Sequence, residues 1–198
     1  MQEKMLLGRP VIRHPDEYVE SLAVYRKIAE RLPSFDTILM HGSCIAVDGE
    51  GYLFTAKSGT GKSTHARLWR EAFGDRVWMI NDDKPMLRIE ETGVMVYGTP
   101  WDGKHHLSRN ASVPLKAIVN LTRDESNHIG PMSRADAFPV LMKQCYGSRN
   151  PATMARIMEL EKQLLGAVDF YTLGCNMLPE AAKVAWEGIH SPERAERK

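Results

Sequence analysis

Cysteine, an excess of charge of either sign, and long apolar runs are all scarce in this 198-residue chain. The three cysteines, Cys44, Cys145 and Cys175, are odd in number and far apart. They form neither a CxxC pair nor a Cys/His metal spacing, which excludes a disulfide framework and a zinc-ribbon site and reads as buried thiols in a reducing compartment. Lys and Arg number 26 against 25 Asp and Glu, a formal charge of +1, so nothing global attracts nucleic acid or an anionic membrane. No stretch approaches the roughly 18 consecutive apolar residues of a membrane helix, and Met5-Leu6-Leu7 is too short for a signal-peptide core. The expectation is a cytoplasmic protein that binds neither nucleic acid nor membrane; a homo-oligomer is left open.

What is present is an ordinary globular balance, 43% hydrophobic and 26% charged. A chain this long buries about 70% of its unfolded surface without help from metal or disulfide, and one domain spanning 1–198 is the default. Residues 5–13 read as a short strand. His14-Pro15-Asp16 then opens a helix over about 16–32, with Tyr18, Leu22, Tyr25, Ala29 and Leu32 on one face, ending near Pro33. A core over about 37–123 alternates strands and turns: apolar runs at 37–41, 43–48 and 51–55, the last two a hairpin about Asp48-Gly49-Glu50-Gly51, then a glycine-containing loop and a helix over 63–73 stopped by Gly74. A strand at 77–80 runs into Asn81-Asp82-Asp83. A hairpin at 86–90 and 94–98, a long loop at 99–113 and a strand at 116–121 follow. The part from about 133 to 190 reads as helical around one strand at 169–174. It has a Ser133/Asp136 capping box, Pro139 kinking or delaying that helix, an Asn150-Pro151 start, an apolar stripe of Met154, Ile157, Met158, Leu164 and Leu165, and a last helix at 179–189. The tail from Ser191 reads as solvated. The fold class is α/β, a mixed β-sheet with hairpins flanked by helices.

Ala56-Lys57-Ser58-Gly59-Thr60-Gly61-Lys62-Ser63 fits the phosphate-loop pattern [AG]-x-x-x-x-G-K-[ST], and it lies between a strand and a helix, where that pattern has physical meaning. Gly59 and Gly61 let successive N–H groups turn inward, and the helix that follows offers its own free N–H groups and positive end to the same anion. Lys62 would bridge the β- and γ-phosphates and the Ser63 hydroxyl would ligate Mg²⁺, with Thr64 a further hydroxyl in the first turn. Chance alone yields such a match in roughly one or two chains per hundred of this length, before the flanking elements are required.

Asp83 stands 21 residues after Lys62 and ends the pair Asp82-Asp83 at the tip of an apolar strand. That geometry projects acids toward phosphates held by a neighbouring strand-loop-helix unit. A phosphate-bound metal needs at least one carboxylate, and a hydroxyl acceptor needs a group to take its proton; adjacent aspartates can divide those roles. Ser63, Asp82 and Asp83 are the candidate metal ligands. His41, taken alone, reads more readily as a packed strand histidine than as a catalytic one, since one backbone hydrogen bond satisfies an imidazole.

The stretch Met40–Ser63, followed by Ile80–Pro85, resembles the catalytic domain of the HPr kinase/phosphorylase family, in which a Met-His-Gly strand, a hairpin, a phosphate loop and a closely following Asp-Asp occur in this order. The arrangement relates that family to phosphoenolpyruvate carboxykinases. The resemblance implies a carboxykinase-like P-loop domain that uses ATP and Mg²⁺, with His41 beside the reacting phosphate, Lys62 on it, Ser63 helping to hold the metal, Asp83 as general base and Asp82 assisting. The chain departs from both relatives. The expectation is that it lacks a counterpart of the HPr enzymes' separate N-terminal domain and is too short for an oxaloacetate site, and residues 98–104 read Gly-Thr-Pro-Trp-Asp-Gly-Lys where a Glu-Ile-Arg-Gly signature is expected.

The loop from Gly98 carries Trp101, Asp102, Lys104, His105, His106 and Arg109, a local positive patch in a neutral protein. Facing a nucleotide, its cations would stabilise charge on the transferring group or clamp an acidic acceptor, Trp101 would form an apolar wall and Asp102 a second metal ligand; facing away, it is an exposed basic loop. Arg67 and Arg70 read as surface charges, with Arg67 within reach of the site, and Arg149 is a weaker candidate for closing over the phosphates. The leading expectation is an Mg-ATP-dependent kinase acting on a hydroxyl, with a small polar alcohol such as serine or a sugar favoured over a seryl side chain in a peptide. The competing expectations are an HPr-type protein serine kinase/phosphorylase and a non-catalytic nucleotide-sensing module.

Overall fold

A computed structural model describes residues 16–191. The strand expected at 5–13 and the tail beyond Ser191 lie outside the described residues. Helix α1 (Asp16–Arg31) begins with Asp16 and Glu17, whose charges suit its positive end, and gives way to a 3₁₀ turn at Leu32–Phe35 containing Pro33. Of the five positions expected along its apolar face only Ala29 is buried, and Tyr18 is 49% exposed. The face therefore packs chiefly toward its C-terminal end.

The strands are β1 (Thr37–Leu39), β2 (Gly42–Val47), β3 (Glu50–Thr55), β4 (Val77–Asp83), β5 (Met86–Glu90), β6 (Gly93–Tyr97), β7 (Ser112–Arg123), β8 (His128–Pro131) and β9 (Asp169–Cys175). They form one mixed sheet in the order β1-β5-β6-β7-β3-β2-β4, with β9 on the same edge of β7 as β6, and β8 on β9. β7 lies parallel to β3 and β9 and antiparallel to β6. It extends well beyond the expected 116–121, and β8 has no counterpart in the sequence expectation. The β2–β3 hairpin turns on Asp48 and Gly49, at φ of 50° and 87°, the paired positive values that match a two-residue turn to the strand twist.

β2 and β3 read as continuous apolar runs because helices cover both faces of the sheet. Successive side chains point to opposite sides. Cys44, Ala46, Leu53 and Ile118 join a core with α3 (Arg134–Gln144) and α4 (Pro151–Ala167), while Ile45, Tyr52, Phe54 and Val119 join a core with α2 (Lys62–Phe73) and α5 (Glu180–Ile189). The Ser133 hydroxyl caps α3 by accepting the Asp136 N–H, and the helix starts at Arg134, undelayed, and runs through Pro139. Asn150 caps α4 on the Ala152 and Thr153 N–H groups. The buried face of α4 is Ile157, Leu160, Glu161 and Leu164, while Met158 is 42% exposed, so the expected stripe corrects to one that includes a buried acid.

Register gathers the chemistry at one end of the sheet. β3 and β4 both lie antiparallel to β2, so their C-terminal ends flank its start: Gly42 faces Asp83, and Ser43 faces both Asp82 and Phe54.

Candidate active site

From the end of β3 the chain turns through Lys57–Gly61 into α2, with Gly59 at φ 80° and Gly61 at φ 126°, values open to glycine and strained for other residues. Lys62, the first residue of α2, is 9% exposed and its Nζ donates to the Ala56 carbonyl at 3.1 Å, closing the loop on itself. Burial pushes the Lys62 ammonium below its ordinary pKa, opposed by the charges of Asp83 and Asp82. Ser58, Gly59, Gly61, Lys62, Ser63 and Thr64 form one wall of a cleft of about 500 Å³; Lys57 projects outward.

The opposite wall is acidic. Asp82 is 6% exposed and accepts the Ser63 hydroxyl at 2.8 Å. Asp83, with φ 154° at the strand end, is about one-third exposed and carries an ion pair with Lys84. His41 Nε2 lies 3.7 Å from the Asp83 carboxylate. His41 is held from behind: its backbone N–H donates to the Gln144 backbone carbonyl at 2.7 Å, its ring Nδ1 meets Gln144 Oε1 at 3.0 Å, and its backbone carbonyl accepts the Thr55 hydroxyl. With the amide oxygen facing Nδ1, the ring proton is assigned there and the Nε2 lone pair faces the cleft.

The loop from Gly98 to Ala111 is tied to this wall by side chains. Fully buried Asn81 donates Nδ2 to the Thr99 carbonyl and hydroxyl and to the Trp101 carbonyl, while its Oδ1 accepts the Lys84 N–H at 2.7 Å. Asp102 bridges back to Asp83 through the backbone. Its carboxylate accepts the N–H groups of Gly103 and Ser108 and the Ser108 hydroxyl, and the same hydroxyl accepts the Asp82 N–H. Burial raises the Asp102 pKa, but these hydrogen bonds from Ser108 and Gly103 outweigh it and hold the group below its ordinary value. Gly103 packs directly on the acid: a Cβ there would lie 2.6 Å from Asp82 Oδ2.

The expected site residues thus divide. His41, Lys62, Ser63, Asp82 and Asp83 come together, and of the loop residues Lys104 and His105 reach the cleft. Trp101 packs edge-on against Tyr25 at 5.2 Å, and Arg109 stacks over Trp78 beside a separate hollow it shares with Arg70. Asp102, expected as a metal ligand, has both oxygens occupied within its own loop. His106 turns back at φ 48°, Arg67 pairs with Glu71, and Arg149 is exposed. Sequence reasoning assigned no role to Lys84, although it adjoins the acids, or to Gln144, 103 residues from His41 and marked by no motif. Nor did it mark Tyr25, over whose ring Lys84 sits and whose hydroxyl is pushed up to about 12 by burial and then by the charge of Asp83.

Among the described residues no group of three or more His, Cys, Asp or Glu could hold a metal alone. The oxygens of Ser63 and Asp82 are nonetheless the hard donors Mg²⁺ prefers, and Mg²⁺ bound with a nucleotide takes most of its ligands from phosphate and water, so the two residues fit that ion.

Neither a protein-family model nor a curated protein sequence matches this chain. Among solved structures it is similar to the Hpr(Ser) kinase/phosphatase from Coxiella burnetii, with 75% of this chain and 94% of that one covered, a TM-score of 0.46 and 10% identity.

Proposed function

We propose that the chain is an Mg-ATP-dependent phosphotransferase that moves the γ-phosphoryl group to the hydroxyl of a small polar alcohol such as serine or a sugar. The observation that carries this reading is the Ser63–Asp82 hydrogen bond, which ties the phosphate-loop pattern to the acid pair across a cleft that Lys62 and Asp83 also line. Main-chain N–H groups of 58–63 and the α2 N-terminus hold the phosphates, and Lys62 leaves the Ala56 carbonyl to contact them. Ser63 and Asp82 would hold the Mg²⁺, which would supply positive charge against the phosphate oxygens. Asp83 accepts the proton of the acceptor hydroxyl, with His41 orienting that hydroxyl through Nε2. Lys104 and His105 overhang the mouth, where they attract an acceptor bearing a carboxylate or phosphate. Catalysis in this scheme is positioning and charge compensation, with no covalent intermediate.

The test is a ³¹P NMR screen of pooled small alcohols, sugars and a serine peptide with Mg-ATP, run on the wild type and Asp83→Asn. Transfer to a small alcohol is expected, abolished in the variant while nucleotide affinity stays within about tenfold, since the base acts on the acceptor. Turnover retained by Asp83→Asn removes that residue from its role. Nucleotide binding with no transfer to any pool supports a sensing module instead.

A further inference from the structure

On the acceptor side of the cleft His41 and Asp83 face each other as two hydrogen-bond acceptors. Gln144 Oε1 meets the ring Nδ1 of His41 at 3.0 Å and keeps the ring proton there, so Nε2 presents a lone pair. Lys84 pairs with Asp83 Oδ2, which leaves Oδ1 as the oxygen turned toward that lone pair, 3.7 Å away. A neutral imidazole in this tautomer and an ionised carboxylate have no proton to share. Both side chains are about one-third exposed, so solvent serves them until an acceptor molecule covers them.

A lone hydroxyl does not satisfy this pair. In phosphoryl transfer the acceptor oxygen bonds to the γ-phosphorus, the bond from that phosphorus to the β-phosphate oxygen breaks and ADP leaves, while the hydroxyl's one proton passes to Asp83 Oδ1. Nothing of that hydroxyl is then left for Nε2 to accept. Orientation through Nε2 therefore needs a second donor on the same molecule, and the 3.7 Å spacing of the two acceptors says where it sits. Donors on neighbouring carbons, in a gauche arrangement, stand about one hydrogen-bond length apart and reach two acceptors this close together. Donors farther apart along a chain overshoot. An acceptor without the second donor covers Nε2, strips it of solvent and gives no bond in return, a loss that discriminates more sharply than an added methylene does.

The geometry points to an acceptor whose reacting hydroxyl has a second hydrogen-bond donor on the adjacent carbon, a 1,2-diol or a 1,2-amino alcohol, with Gln144 the positioning residue that sets this preference through His41. The inference rests on the reading of Asp83 as the base of a phosphotransferase. Three acceptors that differ at one position test it: L-serine, D-glycerate and 3-hydroxypropionate share a carboxylate and carry an ammonium, a hydroxyl and a hydrogen beside the same hydroxymethyl group. With Mg-ATP, kcat/KM for serine, glycerate or both exceeds that for 3-hydroxypropionate by about tenfold to a hundredfold, and whichever of the two leads tells amine from diol. Gln144→Leu frees the ring to carry its proton on Nε2 and brings the ratio to within about threefold, whereas Gln144→Glu, which keeps an oxygen on Nδ1, retains most of it. Independently of turnover, imidazole ¹⁵N NMR of the labelled wild-type chain at about pH 8, above the ordinary histidine range, shows the His41 proton on Nδ1, the signal being assigned by its absence from His41→Asn. A proton found on Nε2, or 3-hydroxypropionate used as well as serine and glycerate, overturns the inference and leaves the phosphotransferase reading standing, as does transfer confined to alcohols with no donor on the adjacent carbon. No transfer to any alcohol brings down that reading, and the inference with it.

Discussion

The two walls of the cleft are built by different means. The loop-helix wall is a backbone structure: eight consecutive residues, two glycines with positive φ and a helix start determine where its N–H groups point. The facing loop from Gly98 to Ala111 has no regular structure, and its shape depends on side chains that reach it from β4, chiefly Asn81, and on the carboxylate of Asp102 folded onto Ser108. A wall made of backbone tolerates most substitutions outside its glycines and its lysine. A wall made of side-chain hydrogen bonds fails when one buried partner is removed, because the groups left behind lose their bonds without regaining water.

The largest effect is expected at Asn81. Asn81→Leu deprives the Thr99 and Trp101 carbonyls of their donor and the Lys84 N–H of its acceptor, all at the base of the acceptor loop. Phosphoryl transfer should fall about a hundredfold or more, the scale of a misplacement near 1 Å, while nucleotide affinity stays within about threefold. Separate measurements of kcat and nucleotide Kd decide it. Parallel loss of both would mean that the two walls fold as one unit and the comparison is wrong.

That asymmetry also governs how much of the molecule could be read beforehand. Lys62, Ser63, Asp82 and Asp83 were legible because each sits at a short, fixed distance from a strand end or helix start, so local spacing alone gives relative position. The β2–β3 hairpin was legible for the same reason, through Asp48-Gly49. Trp101 and Arg109 were marked by residue type alone, and residue type does not say which way a loop side chain turns; one lies on Tyr25 and the other on Trp78. Gln144 was invisible because its contact with His41 spans 103 residues and rests on where α3, packed against α4, comes to an end. On α4 the expected stripe missed Glu161, since no hydrophobic pattern places a carboxyl in a core.

An intermediate effect is expected where the walls touch. Gly103→Ala puts a methyl within 2.6 Å of Asp82 Oδ2 and 2.7 Å of the Asp82 backbone carbonyl, so Asp82 must shift, backbone included, or the loop must lift. If Asp82 shifts, it leaves Ser63, and metal-dependent nucleotide binding weakens by about tenfold; if the loop lifts, transfer falls and binding does not. Magnesium titrations of nucleotide affinity distinguish the two. The first outcome would show that the acceptor loop also positions a donor-side group, sharpening the boundary between the walls to this one contact.

The smallest effect is a pH dependence that contrasts the loop carboxylate with the core one. Asp102 titrates below its unfolded value, so it contributes stability that is complete above the ordinary aspartate range and disappears as pH falls through its lowered folded pKa. Glu161, 1% exposed with Oε2 unpartnered among the described residues and Cys145 as its hydrogen-bond donor, is shifted upward by burial. Its sign is opposite: ionisation costs stability as pH rises through the raised folded pKa, and the cost is absent below the unfolded value. Asp102→Asn should therefore lower the thermal midpoint at pH 7 and match wild type at acid pH. Glu161→Gln should raise the midpoint at pH 7 and lose that gain as pH falls below the ordinary glutamate range. Midpoints of both variants across pH 3–8 check the pair. If Asp102→Asn leaves the pH 7 midpoint unchanged, the loop is held by Asn81 alone, and the side-chain wall has one anchor instead of two.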